Sequence, residues 1–381
     1  MEFRDLKKQY QVLKERMDNA VIEVMTDCNF ISGRQVKELE EKLASYVGVK
    51  HCITCGNGTD ALSMMLMAWG IGEGDAVFVP DFTFFATGEV VSFEGATPVF
   101  VDVDPDTFNM DPVSLEKAIL AVMAEGRLNP RVVIPVDLFG LPADYDRINE
   151  IAHRHGMKVL EDAAQGFGGM YKGRRAGSLG DAATTSFFPA KPLGCYGDGG
   201  AIFTNDDHEA EYLRSIAVHG KGSFKYDNVR IGWNSRLDTI QAAILLVKLE
   251  AFQEYELEDV NKVVSWYTEA LKDKVKTPVV PEGCYSSWAQ YTIQVKNEKE
   301  RTALQQKLKE QGIPTMVYYP KPMHEQTAYN NLKQYIECPI TERLCKTVLS
   351  LPLDGYLTKE NCLSVMKVIK NSHNTAQPIR N

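Results

Sequence analysis

Ser186-Phe187-Phe188-Pro189-Ala190-Lys191-Pro192-Leu193-Gly194-Cys195-Tyr196-Gly197-Asp198-Gly199-Gly200 holds one lysine among apolar and glycine residues. Lysines usually sit on wet surfaces. Prolines at 189 and 192 restrict the backbone around this one, and the four glycines between 194 and 200 permit tight turns and close approach of backbone to a ligand. A lysine held in this way suits Schiff-base chemistry, which needs a desolvated amine with a lowered pKa. An ordinary loop lysine is the other reading, and the rest of the chain decides between them.

Working back from that stretch, residues 158–162, Lys-Val-Leu-Glu-Asp, read as a strand ending on two carboxylates. Residues 76–80, 97–103, 131–136 and 201–205 are also strand-like, and helical patterns over 82–93, 112–125 and 145–155 separate them. Strands alternating with helices of this length predict an α/β fold: a mostly parallel sheet flanked by helices. Ligands in such sheets sit outside the carboxyl ends of the strands. Asp162 therefore stands either as a helix cap or as a carboxylate for a ligand nitrogen.

Nearer the N-terminus, residues 4–28 read as a helix, and a second helix is expected after Ser32, where Gln35 completes a capping-box pattern. The segment 51–55 is strand-like and runs through Gly56-Asn57-Gly58-Thr59-Asp60 into a helical stretch. A helix start of this kind presents free amides and the Thr59 hydroxyl to a phosphate, or uses Thr59 as a plain N-cap.

C-terminal to Gly200, helices are expected over 207–217 and along the run through Gln241 and Leu249. We place a domain boundary near Glu250, giving a large domain of residues 1–250 and a smaller α+β domain of residues 251–381. In the latter, 288–295 and 314–319 read as strands and 300–311, 338–350 and 359–370 as helices; the tail from Asn371 is polar and expected to be loose. A chain of 381 residues exceeds what one core usually fills.

The net charge of −9 and the absence of a basic block argue against nucleic acid or an anionic membrane as partner. No signal-like or membrane-spanning apolar run occurs, so a cytoplasmic location is expected. Eight cysteines scattered through apolar segments read as buried thiols. The pair Cys52 and Cys55 lacks a second pair at zinc-ligand spacing, and no metal is expected.

Lys191, Asp162, a phosphate cup at Gly58, Thr59 and Ser186, and aromatics at Phe82, Phe84 and Phe85 together supply what pyridoxal 5'-phosphate needs. With the blocks Gly58-Thr59-Asp60-Ala61-Leu62, Phe82-Thr83-Phe84, Glu161-Asp162-Ala163-Ala164-Gln165 and Asn234-Ser235-Arg236-Leu237-Asp238, the chain resembles the DegT-type sugar aminotransferases of PLP-dependent fold type I. The resemblance implies that Lys191 carries the cofactor and shuttles protons. It further implies that Asp162 meets the pyridine nitrogen, Phe84 stacks on the ring and Gln165 lies near its hydroxyl. Gly58, Thr59 and Ser186 would hold the phosphate, with Asn234 entering from the second subunit of a homodimer. Related sugar dehydratases carry histidine where Lys191 stands, so lysine favours amino transfer.

The implied substrates are L-glutamate and a nucleotide keto-sugar. The subgroup it is most similar to acts on UDP-2-acetamido-2-deoxy-3-oxo-glucuronate, and Arg236, Tyr318 and Tyr319 are candidate substrate contacts. Tyr318 stands where that subgroup has histidine, and residues 123–130 look like an insertion. A tyrosine gives a uronate no positive charge, so a neutral 3- or 4-keto sugar on UDP, dTDP or GDP stays open. A non-enzymatic regulator on the same fold is the alternative of a different class.

Overall fold

A computed structural model describes residues 1–224 and 226–374. Seven strands form the main sheet in the order His51–Cys55, Gly200–Thr204, Ala182–Ser186, Lys158–Asp162, Asn129–Val133, Asp75–Pro80, Thr97–Val101. All neighbouring pairs are parallel except those made by Gly200–Thr204, which runs against both its neighbours. The expected mostly parallel sheet is thus present, with one reversal directly after the lysine stretch.

Both faces are covered. Along Asp75–Pro80, Val77 and Val79 pack with the helices Gly58–Ala68 and Ala86–Phe93 on one side. Ala76 and Phe78 pack with Pro112–Glu125 and Tyr145–Arg154 on the other. A strand buried on both faces needs an unbroken apolar run, which Asp-Ala-Val-Phe-Val-Pro supplies after its first residue.

Several expected boundaries move. Residues 82–93 do not form one helix, because helix begins at Ala86 and the aromatic residues before it lie in a loop. The second helix is Arg34–Val47 with Gly33 as an N-cap that has no side-chain bond, so the Ser32 capping box does not form. Instead the Gly33 amide donates to Thr239 Oγ1 (3.1 Å), and a side chain at 33 would collide with Thr239 at 2.6 Å. The strand Ala182–Ser186 escapes sequence reading because its small residues carry no apolar alternation.

Leu6–Asp27, capped by the Asp5 carboxylate, lays Leu13 and Met17 on Ile244 and Val247 of Thr239–Ala251. Burying each of those two side chains is worth about 2 kcal/mol. The chain then passes through a π-turn, Phe252–Glu256, into Leu257–Leu271. Between Val260 and Ile369 a cluster of buried apolar residues packs around a two-stranded sheet, Tyr291–Gln294 with Val348–Leu351, while Met323 and Tyr329 join the core of the large sheet. The proposed division near Glu250 falls in the last turn before the π-turn.

Two expectations in this part fail. Residues 338–350 are a helix only over Pro339–Thr347, because Val348–Leu351 pairs as a strand instead. Residues 314–319 make a single bridge, Met316 to Ser350, and no strand. Helix Lys359–Asn374 runs through the first residues of the expected tail; 375–381 and Lys225 lie outside the described residues.

Beneath the end of Lys158–Asp162 lies a buried acid pair, Asp137 and Glu161, both 0% exposed. Asp137 Oδ1 accepts from Tyr145 OH (2.8 Å), and Glu161 from the amides of Gly177 and Leu179 (2.5 and 2.7 Å). Burial pushes both carboxyls up, Glu161 to about 7; Glu161 raises Asp137 further, whereas the Gly177 and Leu179 amides and Asp137 pull Glu161 back. A folded pKa above the unfolded one means that stability is full below about pH 4.5 and drains as pH rises towards 7. Asp137→Asn should remove the part of that loss carried by the Asp137 carboxyl itself. In urea melts its stability should gain on the wild type by about a few kcal/mol between pH 5 and pH 8; a gap that does not change with pH contradicts the raised Asp137 carboxyl.

Candidate active site

The carboxyl ends of His51–Cys55 and Ala182–Ser186 lie level with the start of Gly200–Thr204, since Gly200 pairs with both Cys55 and Ser186. A Cβ on Gly200 would fall 2.4 Å from Asn57 O, and one on Gly58 would fall 2.7 Å from Ser186 Cβ. Glycine is required at both places by this approach. The result is a cradle formed by the Gly56–Gly58 turn, the start of helix Gly58–Ala68 and the Ser186 hydroxyl.

That helix is capped by Asn57, whose side chain accepts from Asp60 N (2.8 Å). Thr59 is therefore not the cap, and its hydroxyl stays available. The amides of Gly58 and Thr59 have no carbonyl one turn back inside the helix, which is the usual setting of an anion site. Ser235 braces the turn from outside: its Oγ accepts from Gly56 N (2.9 Å) and donates to Asp60 (2.6 Å).

The lysine loop is closed on itself. Cys195 N and Phe187 O bond across it (2.7 Å), Phe187 N reaches Gly199 O (2.7 Å), and Lys191 N donates to Phe188 O (2.9 Å). Gly194 is held so tightly that a Cβ there would meet Pro189 O at 2.5 Å. Burial lowers the Lys191 pKa; the charge of Asp162 opposes this and that of Arg4 adds to it.

Asp162 is 5% exposed at the end of its strand. Its Oδ2 accepts from Thr87 Oγ1 and its Oδ1 from Ala164 N, both at 3.1 Å. Burial pushes the carboxyl up, while the Ala164 amide, Lys191 and Thr87 pull it back. An acid aimed by two donors, with an amine near enough to feel its charge, can hold a protonated nitrogen and poise a proton-transfer group together. The side chains at the cradle, Asp162 and Lys191 fit a ligand with an anionic end, a ring nitrogen and a carbonyl.

Gln165 is buried between Phe139 N, which donates to its Oε1 (2.9 Å), and Tyr319 OH, to which its Nε2 donates (3.1 Å). Tyr319 thus joins the expected substrate side to the expected cofactor side. Of the three candidate ring-stacking residues only Phe84 is open, at 55% exposed and 6.5 Å from Tyr319; Phe82 is core and Phe85 packs on Tyr329. Tyr318 lies edge-on to Phe3. Arg236 donates to the exposed Asn234 side chain, so those two residues are joined to each other.

Thr87, Asn57 and Arg4 are site residues that sequence reading missed. Thr87 sits one helical turn after Thr83 and its hydroxyl lies 3.2 Å from that of Thr83; a polar residue on an otherwise buried helix face was the available signal. Cys52 and Cys55 pack into different clusters of the core, and burial holds both thiols up. Asp81, His324 and Cys338 bring donor atoms within 4.8 Å of one another, but His324 Nδ1 and N already bond the Asp81 carboxylate (2.7 and 2.9 Å). That cluster reads as a clip between the loop after Asp75–Pro80 and the chain near Cys338.

The sequence model of the DegT/DnrJ/EryC1/StrS aminotransferase family matches residues 11–370. A UDP-2-acetamido-2-deoxy-3-oxo-D-glucuronate aminotransferase of Pseudomonas aeruginosa is 46% identical, over 97% of this chain and 100% of its own. Among solved structures, a DegT DnrJ EryC1 StrS aminotransferase from Brucella abortus superimposes with a TM-score of 0.96 at 51% identity, covering 98% of this chain and 100% of its own. The pyridoxamine-phosphate (PMP) form of a putative sugar aminotransferase from Streptococcus pneumoniae does so with a TM-score of 0.88 at 26% identity, covering 95% and 98%.

Thr87→Val keeps the shape of the side chain and removes the donor to Asp162. A hydrogen bond to a charged group is worth about 1.5–3 kcal/mol. Equilibrium dialysis should therefore show cofactor affinity reduced at least about tenfold with thermal stability little changed. Unchanged affinity would mean that Thr87 does not set the Asp162 carboxylate.

Proposed function

The chain belongs to the DegT/DnrJ/EryC1/StrS aminotransferase family, and on that premise we propose that it carries an amino group from L-glutamate to a UDP-linked 3-keto sugar such as UDP-2-acetamido-3-oxo-glucuronate. It is a pyridoxal-phosphate-dependent transaminase of nucleotide-linked sugars. The single observation that carries the reading of its site is a buried carboxylate, Asp162, held by Thr87 and the Ala164 amide and near enough to Lys191 for their charges to act on one another.

Bound there, the cofactor supplies a carbonyl for amines and a pyridinium that draws electrons from the bond to be broken. The protein does the rest. Asp162, fixed by Thr87 and Ala164, holds the ring nitrogen protonated; Gly58, Thr59 and Ser186 take the phosphate; Phe84 covers a ring face; Gln165 stands beside the ring hydroxyl. Lys191 Nζ holds the cofactor at rest. Once freed, its amine would take the proton from the donor's α-carbon and give it up again within the site. The acceptor reverses these transfers, so the two substrates alternate in ping-pong order.

We place the acceptor against Arg236, Tyr318 and Tyr319, with Arg236 offering a bidentate contact to a carboxylate. The 46% identity to the uronate enzyme of Pseudomonas supports the acidic sugar. Tyr318, which brings no charge, supports a neutral 3- or 4-keto sugar on dTDP or GDP as the second reading. Asn234 is proposed to serve the site of a second subunit in a homodimer. The exposed Phe224, Val229 and Ile231 on the adjoining segment support such an interface. No helix among the described residues is long and apolar enough to cross a membrane, and we propose a cytoplasmic location.

Borohydride reduction followed by peptide mapping should put the phosphopyridoxyl group on Lys191, and Lys191→Ala should carry none. A label on another lysine contradicts the assignment. Offered a panel of nucleotide keto-sugars, the amine-loaded enzyme should return to its aldehyde-loaded spectrum fastest with the UDP-linked 3-keto uronate. Equal or faster return with neutral sugars selects the second reading.

A further inference from the structure

The lysine loop is gripped from a direction that the sequence does not announce. Arg4, near the start of the chain, donates a guanidinium hydrogen bond to the carbonyl of Ala190, the residue immediately before Lys191. The residues on either side of Arg4 are fixed to the far end of the chain. Phe3 O accepts from Leu353 N (3.1 Å), and Asp5 N donates to Asp354 Oδ2 (2.8 Å). The Phe3 ring rests edge-on against Tyr318, with centroids 6.3 Å apart. Phe3-Arg4-Asp5 is therefore a short strap with both edges tied to the C-terminal part of the fold and its middle residue tied to the lysine loop.

The electrostatics of the strap are specific as well. Burial lowers the Arg4 pKa, and the carboxylates of Asp354 and Glu256 restore part of the loss. Those acids have other duties that fix them: Asp354 accepts from Tyr356 N (2.8 Å), and Glu256 accepts from Gln9 Nε2 (2.8 Å) and Tyr356 OH (2.5 Å). Facing Lys191 are Asp162 from the sheet and Arg4 from the strap, with opposite effects on its charge. Arg4 also lowers buried Lys248, which packs over the Tyr196 ring behind the loop at 4.8 Å.

We propose that Arg4 is a positioning residue for Lys191: through the Ala190 carbonyl it fixes the backbone that aims the amine, and it ties that amine to Leu353 and Asp354. The proposal rests on the reading of Lys191 as the cofactor lysine. Its physical content is twofold. A guanidinium hydrogen bond to a backbone carbonyl one residue before the reacting side chain restricts where Nζ can go. A like charge nearby also favours the neutral, nucleophilic amine. The strap makes the aim of the lysine depend on the C-terminal part being seated, because Phe3 and Asp5 have their partners there.

The test uses full-length protein stripped of cofactor, as wild type, Arg4→Gln and Arg4→Lys. The rate of covalent capture of pyridoxal phosphate is followed by absorbance across pH, with the labelled residue confirmed by borohydride mapping. Binding of pyridoxamine phosphate, which makes no bond to lysine, is measured in parallel. Arg4→Gln should capture pyridoxal phosphate about tenfold more slowly at neutral pH, with the midpoint of its pH–rate curve moved upward. Its affinity for pyridoxamine phosphate should stay within about twofold of wild type. Arg4→Lys, which keeps the charge and loses the rigid planar guanidinium, should restore the midpoint and only part of the rate.

Capture by Arg4→Gln at the wild-type rate and midpoint overturns the proposal. An equal loss of pyridoxamine phosphate binding also overturns it, because it would mean that Arg4 only supports the fold. Mapping of the wild-type label to a different lysine overturns the assignment of Lys191 itself, and the role of Arg4 with it.

Discussion

A half-buried amine and a buried carboxylate close enough to feel each other's charge at the edge of a sheet are the constraint on which this protein's site depends. Neither Lys191 nor Asp162 can be buried cheaply alone, since desolvation lowers one pKa and raises the other. Their charges offset part of that cost, and the donors Thr87 and Ala164 hold the acid in place. Much of the nearby architecture keeps this pair in register: the reversal at Gly200–Thr204, the self-closed loop at Gly194 and the glycine contacts between Gly58 and Ser186. Each is a close backbone approach, so each fixes position without spending polar groups that a ligand would need.

A second layer stands behind the first. Glu161 precedes Asp162 in the same strand and points into a buried pair with Asp137, whose amide donates to Asp162 O (3.1 Å). Neighbouring residues on one strand thus serve opposite faces, one acid facing a ligand space and one sealing the fold. The side proposed for the acceptor is organised differently. Gln165 hands over to Tyr319, Tyr318 meets Phe3, and the strap bearing Arg4 returns to the lysine loop. Residues from both ends of the chain therefore converge on the residue at its middle.

What could be read from the sequence follows from how local each signal is. Lys191 between prolines, Asp162 at the end of an apolar run and Gly58 at a helix start announce themselves within a few residues. The parallel α/β order follows from alternating periodicities of the same short range. Thr87 and Arg4 do not, because a threonine in a helix and an arginine near a terminus acquire meaning only from partners dozens to hundreds of residues away; the Asn57 cap, three residues from its partner Asp60, was passed over for Thr59. The same limit explains the strands that were missed. Ala182–Ser186 is a strand because both its neighbours are, and Val348–Leu351 leaves the helical pattern because Tyr291–Gln294 is there to pair with it. Ser32 looks like a cap until Thr239 claims the Gly33 amide.

The central claim is that Asp162 keeps the ring nitrogen of the bound cofactor protonated. The nitrogen NMR shift of ring-labelled pyridoxal phosphate, measured on the wild type and on Asp162→Asn at one pH, reads that proton directly. The account predicts a protonated ring in the wild type and an unprotonated one in the variant. The same shift in both proteins would contradict it.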